Sequence, residues 1–338
     1  MSGRIASMKD WKGERVLVTG GGGFIGSHLV EALAERGARV RALVRYNGRG
    51  DRGHLEALDP ALARRVEILP GDVRDPRCVD EAVSGCSRVF HLAALIAIPY
   101  SYRAPQSYVD TNVTGTVNVL EACRNRRVKR LVHTSTSEVY GTARYAPIDE
   151  EHPLQGQSPY SASKIAADKL VESYHRSFGV PAVTVRPFNT YGPRQSARAV
   201  IPSVLCQLLA GKKTLAVGTL SPVRDFNFVG DTVAGFLAAA KAPAAVGRTL
   251  NLGTGRGVTV GETVKLLMRL SGRDARIKTD RRRVRPEASE VFKLIADARL
   301  AATLAGWRPR FTLEQGLVRT IEHVRTDLDS YKADLYNL

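Results

Sequence analysis

A glycine-rich turn between a short apolar run and a helical pattern is the strongest constraint on the fold of this 338-residue chain. The apolar run is Arg15–Thr19, and positions 20 to 23 after it are all glycine. From Phe24 to Arg36 the apolar residues recur at helical spacing, and Gly37 then marks the end of the helix. The chain is therefore predicted to begin with a strand, a tight turn and a helix.

The glycines of this turn have the spacing of a dinucleotide-binding loop. Gly20 stands where the chain turns, Gly23 where the backbone nears a pyrophosphate, and Gly26 where the helix packs on the strand. The helix N-terminus, with Phe24 and Ile25, offers free N–H groups and a positive dipole end to the phosphates. A flexible loop is the alternative interpretation, but the strand–turn–helix context favours dinucleotide binding.

The first half of the chain continues this alternation of strand and helix. Further strands are predicted at Arg39–Val44, Val66–Leu69, Arg88–Leu92, Arg130–Thr134 and Ala182–Arg186, and long helices at Val109–Arg124 and Ser161–Phe178. This order predicts an α/β fold with a Rossmann-type, doubly wound parallel sheet. The alternation weakens after about residue 190. Residues 1–187 are expected to form the dinucleotide-binding domain, and residues 188–338 mainly a smaller substrate lobe from which some chain returns to the first domain.

Basic residues outnumber acidic ones, 50 to 33, and the formal net charge is +17. A nucleic-acid binder, a membrane-surface protein or an enzyme for phosphate-bearing ligands could need this excess. The densest basic runs, Arg124–Arg130 and Arg281–Arg285, are short, whereas a nucleic-acid binder would concentrate its charge on one face or tail. Nucleic-acid binding is therefore kept as the minor alternative. No apolar run reaches the ~18 residues of a membrane helix, so no membrane partner is expected.

The cysteines and the first residues favour a cytoplasmic protein without a metal site. Cys78, Cys86, Cys123 and Cys206 show neither CxxC pairing nor metal-ligand spacing, and are expected to be reduced and mostly buried. The N-terminal residues lack the apolar core of a signal peptide.

The end of the second predicted strand discriminates between the two nicotinamide cofactors. NAD-binding chains usually place an acidic residue there for the ribose 2′-hydroxyl, whereas this chain has Arg45 and no acid before Asp51. Since an arginine suits a 2′-phosphate, NADP is favoured over NAD, with an ordinary surface charge as the alternative interpretation of Arg45. Asp72 and Val73, directly after the third strand, are the expected contacts of the adenine, with a plain turn aspartate as the alternative interpretation of Asp72.

Tyr160 and Lys164 are four residues apart, so on a helix they lie on one face. A free phenol has a pKa of about 10, too high for a base at neutral pH. A neighbouring ammonium and a cationic nicotinamide ring both favour the phenolate and lower that pKa. Tyr160 is therefore predicted to take a proton from a substrate hydroxyl while a hydride passes to the cofactor.

Five segments carry a resemblance to a known family: GGGGFIG at 20–26, STSEVYG at 135–141, YSASK at 160–164, RPFNTYGPRQ at 186–195 and RDFNFV at 224–229. In this order they resemble the extended short-chain dehydrogenase/reductases that act on nucleotide sugars. The resemblance implies a tightly bound, recycled cofactor, a nucleotide-diphosphate sugar as substrate, and an active site between two lobes. It also implies a homodimer built from the helices Val109–Arg124 and Ser161–Phe178.

The resemblance assigns roles to individual residues. Thr136 would hydrogen-bond the 4-hydroxyl of the sugar, Tyr160 would be the base, and Lys164 its electrostatic partner. Asn112 would brace the site. The nicotinamide ribose would be lined by Leu92, Ala93 and Ala94.

Glu138 indicates which reaction of the family is catalysed. Family epimerases, which remove and return a hydride at C4, generally lack an acid at this position. A carboxylate here can take the C5 proton once C4 is a ketone; elimination of the 6-hydroxyl and return of the hydride to C6 complete a redox-neutral 4,6-dehydration. The dTDP-glucose dehydratases place Asp where this chain has Ser137. Thr-Ser-Glu instead resembles the GDP-mannose 4,6-dehydratases, and the identity of the general acid is left open.

Two alternative functions remain within the superfamily, UDP-glucuronate decarboxylase and nucleotide-sugar 4-epimerase. The decarboxylase remains because Thr-Ser-Glu also occurs in that group of enzymes. The segment Arg285–Asp297 resembles the dehydratases' RPxxxEVxxLxxD pattern, and Val44–Asn47 resembles their NADP loop. With Ser196–Pro202 and the Tyr331–Tyr336 ending, the nearest resemblance is to the 4,6-dehydratases of the legionaminic-acid-pathway type. The implied substrate is UDP- or GDP-N-acetylglucosamine.

The phosphates of such a substrate need positively charged donors. By their positions in the family motifs, Arg224 and Arg285 are expected to hold the nucleotide diphosphate, because a guanidinium fork matches phosphate oxygens. Asn189 is expected to touch the sugar or a phosphate, and Arg194 is a weaker candidate for the same ligand. The alternative for each arginine is an ordinary surface charge.

Overall fold

A seven-stranded parallel sheet forms the centre of the computed structural model, which describes residues 10–331. The strands, numbered along the chain, are β1 (Arg15–Thr19), β2 (Arg39–Arg45), β3 (Val66–Gly71), β4 (Arg88–His91), β5 (Arg130–Thr134), β6 (Ala182–Pro187), β7 (Thr190–Tyr191), β8 (Thr214–Val217), β9 (Val223–Arg224), β10 (Asn227–Phe228), β11 (Thr249–Leu252), β12 (Val258–Thr259), β13 (Arg276–Thr279) and β14 (Lys293–Leu294). The order in the central sheet is β11-β6-β5-β4-β1-β2-β3. The remaining strands form the small sheets β10-β7, β12-β9-β14 and β13-β8.

Helices connect these strands. They are α1 (Phe24–Glu35), α2 (Pro60–Ala63), α3 (Pro76–Val83), α4 (Ile98–Ser101), α5 (Pro105–Tyr108), α6 (Gly115–Asn125), α7 (Pro159–Phe178), α8 (Val200–Leu209), α9 (Val229–Lys241), α10 (Val260–Ser271), α11 (Arg299–Ala305) and α12 (Leu313–Thr326). A π-helical turn, Val109–Thr114, leads into α6, and a 3₁₀ turn, Ser137–Tyr140, follows β5. Further 3₁₀ turns are Gly53–Ala57, Pro243–Ala245, Arg281–Arg283, Glu287–Ser289 and Leu328–Tyr331. Across residues 10–331, no helix combines the length and the apolarity that crossing a bilayer requires.

The predicted doubly wound parallel sheet is confirmed, and the six strands expected in the first half are present with small shifts at their ends. The helix predicted from Ser161 begins earlier, because Ser158 caps it and Pro159 occupies its first position. The predicted helix 109–124 is divided between the π-helical turn and α6. Of the ending compared with the dehydratases, residues 332–336 lie outside the described residues.

Helices cover both faces of the central sheet. One face is covered by α1 and α9, and the other by α3, α6 and α7. The chain returns to this sheet from its second half, because β11 pairs in parallel with β6, Thr249 opposite Thr184. Helices α8, α10 and α12 pack together beside the small sheet β13-β8. All four cysteines are free, and Cys86, Cys123 and Cys206 are buried.

A buried carboxylate joins the sheet to α7. Asp168 Oδ2 accepts hydrogen bonds from Ser135 Oγ at 2.8 Å and from the Nε and Nη2 of Arg186 at 3.1 and 3.0 Å. His133 Nε2 lies 3.3 Å from the other carboxylate oxygen. Burial raises the pKa of Asp168, but His133 and the charge of Arg186 outweigh it, and the net pKa is lowered. Burial and Lys164 together lower the pKa of His133 to about 4, so this ring is neutral at pH 7.

Replacement of Asp168 is predicted to destabilise the fold strongly. Asp168→Asn leaves the guanidinium of Arg186 buried without its counter-charge, which destabilises a protein by about 3–5 kcal/mol. The matched control is Glu172→Gln on the same helix, because Glu172 forms exposed ion pairs with Lys169 and Arg176 and should matter by about 1 kcal/mol or less. Urea unfolding at pH 7 measures both free energies. Equal losses for the two variants would contradict a central role for the Asp168 carboxylate.

Candidate active site

The glycine turn at the end of β1 forms a cradle of backbone atoms. A Cβ on Gly20, whose φ is +70°, would lie 2.9 Å from the amide nitrogen of Ala93, and a Cβ on Gly26 would fall on the carbonyl oxygen of Gly20. No side chain caps α1 at Gly23, so the first N–H groups of the helix can bind an anion. Phe24 and Ile25 begin this helix. The cradle therefore fits the pyrophosphate of a dinucleotide.

The ends of β2 and β3 bring Arg45 and Asp72 together. Arg45 is exposed, and its guanidinium has no hydrogen bond or ion pair with the described residues. Asp72 is engaged by Arg74, whose Nη2 lies 2.6 Å from Oδ2. Arg74 is the main cause of the lowered pKa of Asp72, and Arg45 lowers it further. An adenine amino group would therefore share this carboxylate with Arg74. The next residue, Val73, is buried.

The end of β4 is tied to β1 by a side-chain oxygen. Thr19 Oγ1 accepts the N–H groups of Leu92 and Ala93, both at 3.1 Å. The imidazole Nδ1 of His91 lies 2.8 Å from the same oxygen. Residues Leu92, Ala93 and Ala94 are half-buried beside the glycine turn, so their backbone forms one wall of the cradle.

Asn112 braces the loop after β4 from the π-helical turn. Its amide oxygen accepts the N–H of Leu95 at 2.8 Å, and its amide nitrogen donates to the Leu95 carbonyl at 3.0 Å and to Ser163 Oγ at 2.9 Å. The side chain of Asn112 is buried. Asn112 thus links this loop to α7 next to Lys164.

The 3₁₀ turn after β5 holds Thr136, Ser137 and Glu138. Thr136 caps the turn, since its Oγ1 accepts the N–H of Glu138 at 3.2 Å. The side chain of Ser137 is buried. The turn ends at Tyr140, whose hydroxyl accepts a hydrogen bond from Arg186 Nη1 at 2.9 Å. Both ends of the turn are therefore fixed, which restricts the backbone of Glu138.

Tyr160 lies in the first turn of α7 and meets the Thr136 side chain. Burial raises the pKa of Tyr160, the hydrogen bond with Thr136 lowers it, and the negative charge of Glu138 raises it again. The net shift is upward, opposite to the direction expected from a neighbouring ammonium. Lys164 Nζ donates to the carbonyl of Thr134 at 2.6 Å, and burial lowers the pKa of Lys164 to about 8. Burial is therefore the largest influence on the pKa of Tyr160 in the protein itself.

Two arginines of the second half approach Glu138. Arg285 Nη1 lies 3.8 Å from Glu138 Oε1 and 3.9 Å from Glu290 Oε1. This nitrogen atom is buried and has no hydrogen bond to the described residues. Arg224 is buried, and its Nη2 lies 3.2 Å from Glu290 Oε1. Burial lowers the pKa of Arg224, while the charge of Glu138 opposes that shift. The structure thus brings Glu138, Arg224 and Arg285 together, with donors available for an anionic ligand.

Asn189 and Arg194 follow β6 but differ in their surroundings. The Nδ2 of Asn189 is buried without a hydrogen-bond partner in the described residues, as expected of a group that contacts a ligand. Arg194 has a φ of +68°, and its Nη2 lies 3.0 Å from Glu31 Oε2 on α1. The structure therefore pairs Arg194 with α1, away from the group around Glu138.

Three residues of this site were not singled out by sequence. Glu290 lies between Arg224 and Arg285. Its one sequence signal is that it is the acid of the EV part of the Arg285–Asp297 pattern. Asp168 follows Lys164 by one helical turn, a spacing that could have suggested a partner. Ser163 is the residue before Lys164 and gave no signal of its bond to Asn112.

Comparison with known proteins finds matches along nearly the whole chain. A family model described as GDP-mannose 4,6 dehydratase matches residues 17–320. The dTDP-glucose 4,6-dehydratase of Mycolicibacterium smegmatis is 34% identical over 326 residues, which cover 93% of this chain and 94% of that protein. The UDP-glucose 4-epimerase of the same organism is 32% identical over 322 residues, covering 92% and 98%.

The fold is also similar to solved structures. The crystal structure of DesIV, a dTDP-glucose 4,6-dehydratase from Streptomyces venezuelae with NAD and TYD bound, superimposes with a TM-score of 0.84. The two chains are 30% identical, and the alignment covers 94% of this chain and 99% of the other.

Substitution of Gly26 is predicted to remove dinucleotide binding. The Cβ of Gly26→Ala would meet the carbonyl oxygen of Gly20, and overpacking of this kind destabilises a fold by about 1–3 kcal/mol. We expect NAD and NADP affinity to fall by at least about 10-fold, since the turn must shift away from the phosphates. The control is Gly261→Ala on α10, whose Cβ would have ordinary contacts, the nearest at 3.6 Å. Calorimetric titration with each cofactor measures the change, and unchanged affinity in Gly26→Ala would exclude the turn as the phosphate cradle.

Proposed function

The chain belongs to the GDP-mannose 4,6-dehydratase family of extended short-chain dehydrogenase/reductases, and from this membership we propose that it is a nucleotide-sugar 4,6-dehydratase. The proposed reaction converts a nucleotide-linked hexose to its 4-keto-6-deoxy derivative with net loss of one water. The catalytic residues would be Thr136, Ser137, Glu138, Tyr160 and Lys164.

One observation carries the proposal: Glu138 stands in the site, with its N–H bonded to Thr136 Oγ1 at 3.2 Å and its carboxylate 3.8 Å from Arg285, and Thr136 in turn meets Tyr160. A reaction that only moves a hydride at C4 does not need this carboxylate. A dehydratase needs it, because the C5 proton becomes acidic once C4 is a carbonyl and must be taken by a base. The fixed 3₁₀ turn and the nearby Arg285 keep the carboxylate in position.

In the proposed mechanism each proton has an assigned group. When bound at the glycine turn, the nicotinamide cofactor would supply a hydride acceptor that can also act as a hydride donor, and its positive charge would favour the Tyr160 phenolate. Tyr160 Oη takes the proton of the 4-hydroxyl, while the Thr136 hydroxyl orients that group. Lys164 supplies positive charge from the next turn of α7, and its pKa of about 8 leaves it protonated in large part at neutral pH.

The elimination step would be carried out by Glu138 alone. Glu138 removes the C5 proton, the C6–O bond breaks, and the same carboxyl delivers its proton to the leaving hydroxyl, which departs as water. Return of the hydride to C6, with delivery of a solvent-derived proton to C5 by Glu138, would then give the product, and Tyr160 would release the proton of the 4-hydroxyl to solvent. Ser137 is buried and its hydroxyl is a poor acid, so a role in supporting Glu138 suits it better than proton delivery.

The substrate would be bound through its diphosphate by Arg224 and Arg285, with Asn189 as a further donor. Both arginines are held by Glu290, and Arg285 Nη1 and Asn189 Nδ2 are buried donors without protein acceptors in the described residues. A diphosphate would satisfy these donors with charge-assisted hydrogen bonds. We propose UDP- or GDP-N-acetylglucosamine as the substrate, on the resemblance of the Arg285–Asp297 segment.

The cofactor would be NAD or NADP, with the glycine turn holding its pyrophosphate. The DesIV structure contains NAD in the same fold. Arg45 favours NADP, because its guanidinium is exposed at the end of β2 without a protein partner among residues 10–331, and no acid is present there for a free 2′-hydroxyl.

A 4-epimerase is the second candidate function, favoured by the 32% identical UDP-glucose 4-epimerase of Mycolicibacterium smegmatis. An epimerase uses the same Tyr160 and Thr136 chemistry but leaves C5 and C6 unchanged. Its product has the mass of the substrate. This property separates the two functions by experiment.

A homodimer formed through α6 and α7 is part of the proposal. These two helices lie side by side on one face of the sheet, and Phe178 at the end of α7 is about half exposed, at 49%. Pairing with a second copy would cover this surface.

The function is tested by incubating the protein with UDP-N-acetylglucosamine, GDP-N-acetylglucosamine, GDP-mannose, dTDP-glucose, UDP-glucose and UDP-glucuronate, followed by mass spectrometry. Loss of one water from a neutral sugar nucleotide is expected. Loss of carbon dioxide from the glucuronate would identify a decarboxylase, and an isomer of unchanged mass would identify an epimerase.

Glu138→Gln is expected to bind cofactor normally but to stop incorporation of solvent deuterium at C5. Persistent exchange at C5 would exclude Glu138 as the base.

Arg45→Ala is predicted to weaken NADP binding by about 10-fold or more while leaving NAD binding unchanged, because a charge-assisted contact to the 2′-phosphate is lost. The control is Arg77→Ala, which removes an exposed ion pair with Glu81 on α3. Titration of each variant with both cofactors gives the ratio of affinities. An equal loss for NAD and NADP, or none for either, would refute Arg45 as the 2′-phosphate contact.

A further inference from the structure

A second pocket lies at the amino ends of the strands, on the edge of the sheet opposite the candidate active site. Its volume is about 640 Å³, and the charged residues among the nine that line it are Arg15, Arg39, Arg41, Arg64, Arg65 and Glu67. Five of these nine residues are arginines and one is acidic. The functional proposal above uses none of them.

The backbone of the sheet fixes three of these arginines side by side. Arg15 and Arg39 are the first residues of β1 and β2 and stand directly opposite each other in the parallel register. Arg65 immediately precedes β3, and its carbonyl accepts the N–H of Val40 at 2.7 Å. Like charges placed opposite each other on neighbouring strands destabilise a sheet. The sequence therefore retains an unfavourable arrangement at this edge.

Other arginines at the same edge have partners within the fold. Arg88 at the start of β4 pairs with Glu14, and Arg130 at the start of β5 donates to the Ala242 carbonyl at 2.8 Å. Arg41 binds Glu67, with 2.9 Å between Nε and Oε2, and its Nη1 donates to three carbonyls at the end of α3, those of Glu81, Ala82 and Ser84. These contacts engage the guanidinium of Arg41 and use the one acid of the pocket.

Four guanidinium groups then remain without a counter-charge: Arg15, Arg39, Arg64 and Arg65 have no hydrogen bond or ion pair from their side chains to residues 10–331. The acidic groups near the pocket are engaged elsewhere, Glu14 by Ser87 and Arg88, and Glu67 by Arg41. A ligand of several negative charges would relieve this concentration of positive charge.

We propose that this arginine pocket is a second anion site, which binds an oligophosphate such as inorganic triphosphate or the triphosphate of a nucleotide. Guanidinium groups bind phosphate oxygens through paired, charge-assisted hydrogen bonds, and the pocket volume is in the range that accepts a nucleotide-sized ligand. The concave shape favours a compact oligophosphate over a nucleic-acid backbone, which would need a longer basic surface.

The arginine pocket is separate from the candidate active site. A strand of five residues such as β1 is about 17 Å long, and the glycine turn lies at its other end. Ligands at the two ends cannot share contacts. Occupation of the active site therefore should leave the arginine pocket open, which makes the two sites distinguishable in solution.

The test is calorimetric titration of the whole protein with inorganic triphosphate and, in a second arm, with ATP, at low salt and with the active site saturated by NADP and UDP. One site per chain is expected. Arg39→Gln/Arg65→Gln should weaken triphosphate binding by at least about 10-fold. The charge-matched control, Arg273→Gln/Arg325→Gln, removes two exposed arginines outside the pocket and should bind as the wild type does. Comparable affinity in the two arms indicates recognition of the phosphates alone, and tighter ATP binding indicates that the nucleoside contributes.

Thermal unfolding gives a second readout that a merely structural role would not produce. Without added anion, Arg39→Gln/Arg65→Gln should melt at a higher temperature than the wild type, because the repulsion with Arg15 is relieved; with triphosphate, its gain in melting temperature should be smaller. Binding that survives in this variant, falls equally in the control, or disappears when NADP and UDP are present would overturn the proposal. Tighter binding to a DNA oligonucleotide than to either oligophosphate, lost in the same variant, would overturn it in favour of nucleic acid.

Discussion

The buried carboxylate of Asp168 links the three segments on which the candidate active site depends. From α7 it binds Ser135 at the end of β5 and Arg186 on β6. Arg186 also donates to the Tyr140 hydroxyl, at the end of the 3₁₀ turn that carries Glu138. One network of charge and hydrogen bonds thus sets the position of α7, with Tyr160, relative to Glu138. The Tyr160 hydroxyl and the Glu138 carboxylate are thereby held at a fixed separation, as the proposed reaction at two neighbouring ring carbons requires.

Parallel polarity of the central sheet separates two chemical environments. All seven strands point the same way, so their carboxyl ends collect the glycine turn, Asn112, Thr136 and Tyr160 at one edge. Their amino ends collect arginines at the opposite edge, because β1, β2, β4 and β5 each begin with Arg. The first edge depends on helix N-termini and loops to bind ligands. The second edge presents the side chains at the first residues of the strands. Its ability to bind a ligand therefore depends on which of its arginines lack a partner within the fold.

Much of this fold could be predicted from the chain because its signals are local. The alternation of β-rich runs and helical periods identified six strands of the sheet, and the Tyr160–Lys164 spacing placed both residues on one helical face. Interactions between distant segments could not be predicted. Glu290 meets Arg224 only because β14 pairs with β9, and Arg194 turns towards Glu31 on α1 through a backbone with positive φ. The raised pKa of Tyr160 also depends on burial, which spacing along a helix does not reveal.

The net charge of +17 is best understood by asking which arginines have partners. Arg41, Arg88, Arg130 and Arg186 are bound by carboxylates or carbonyls and serve the fold. Arg224 and Arg285 share the carboxylate of Glu290, and Arg285 also lies 3.8 Å from Glu138, so this group offers a diphosphate hydrogen-bond donors rather than an excess of charge. At the amino edge the imbalance is larger, since Glu67 is the one acid among five arginines. Arginine donors thus stand at both ends of the same strands, and both places have the chemistry of phosphate recognition.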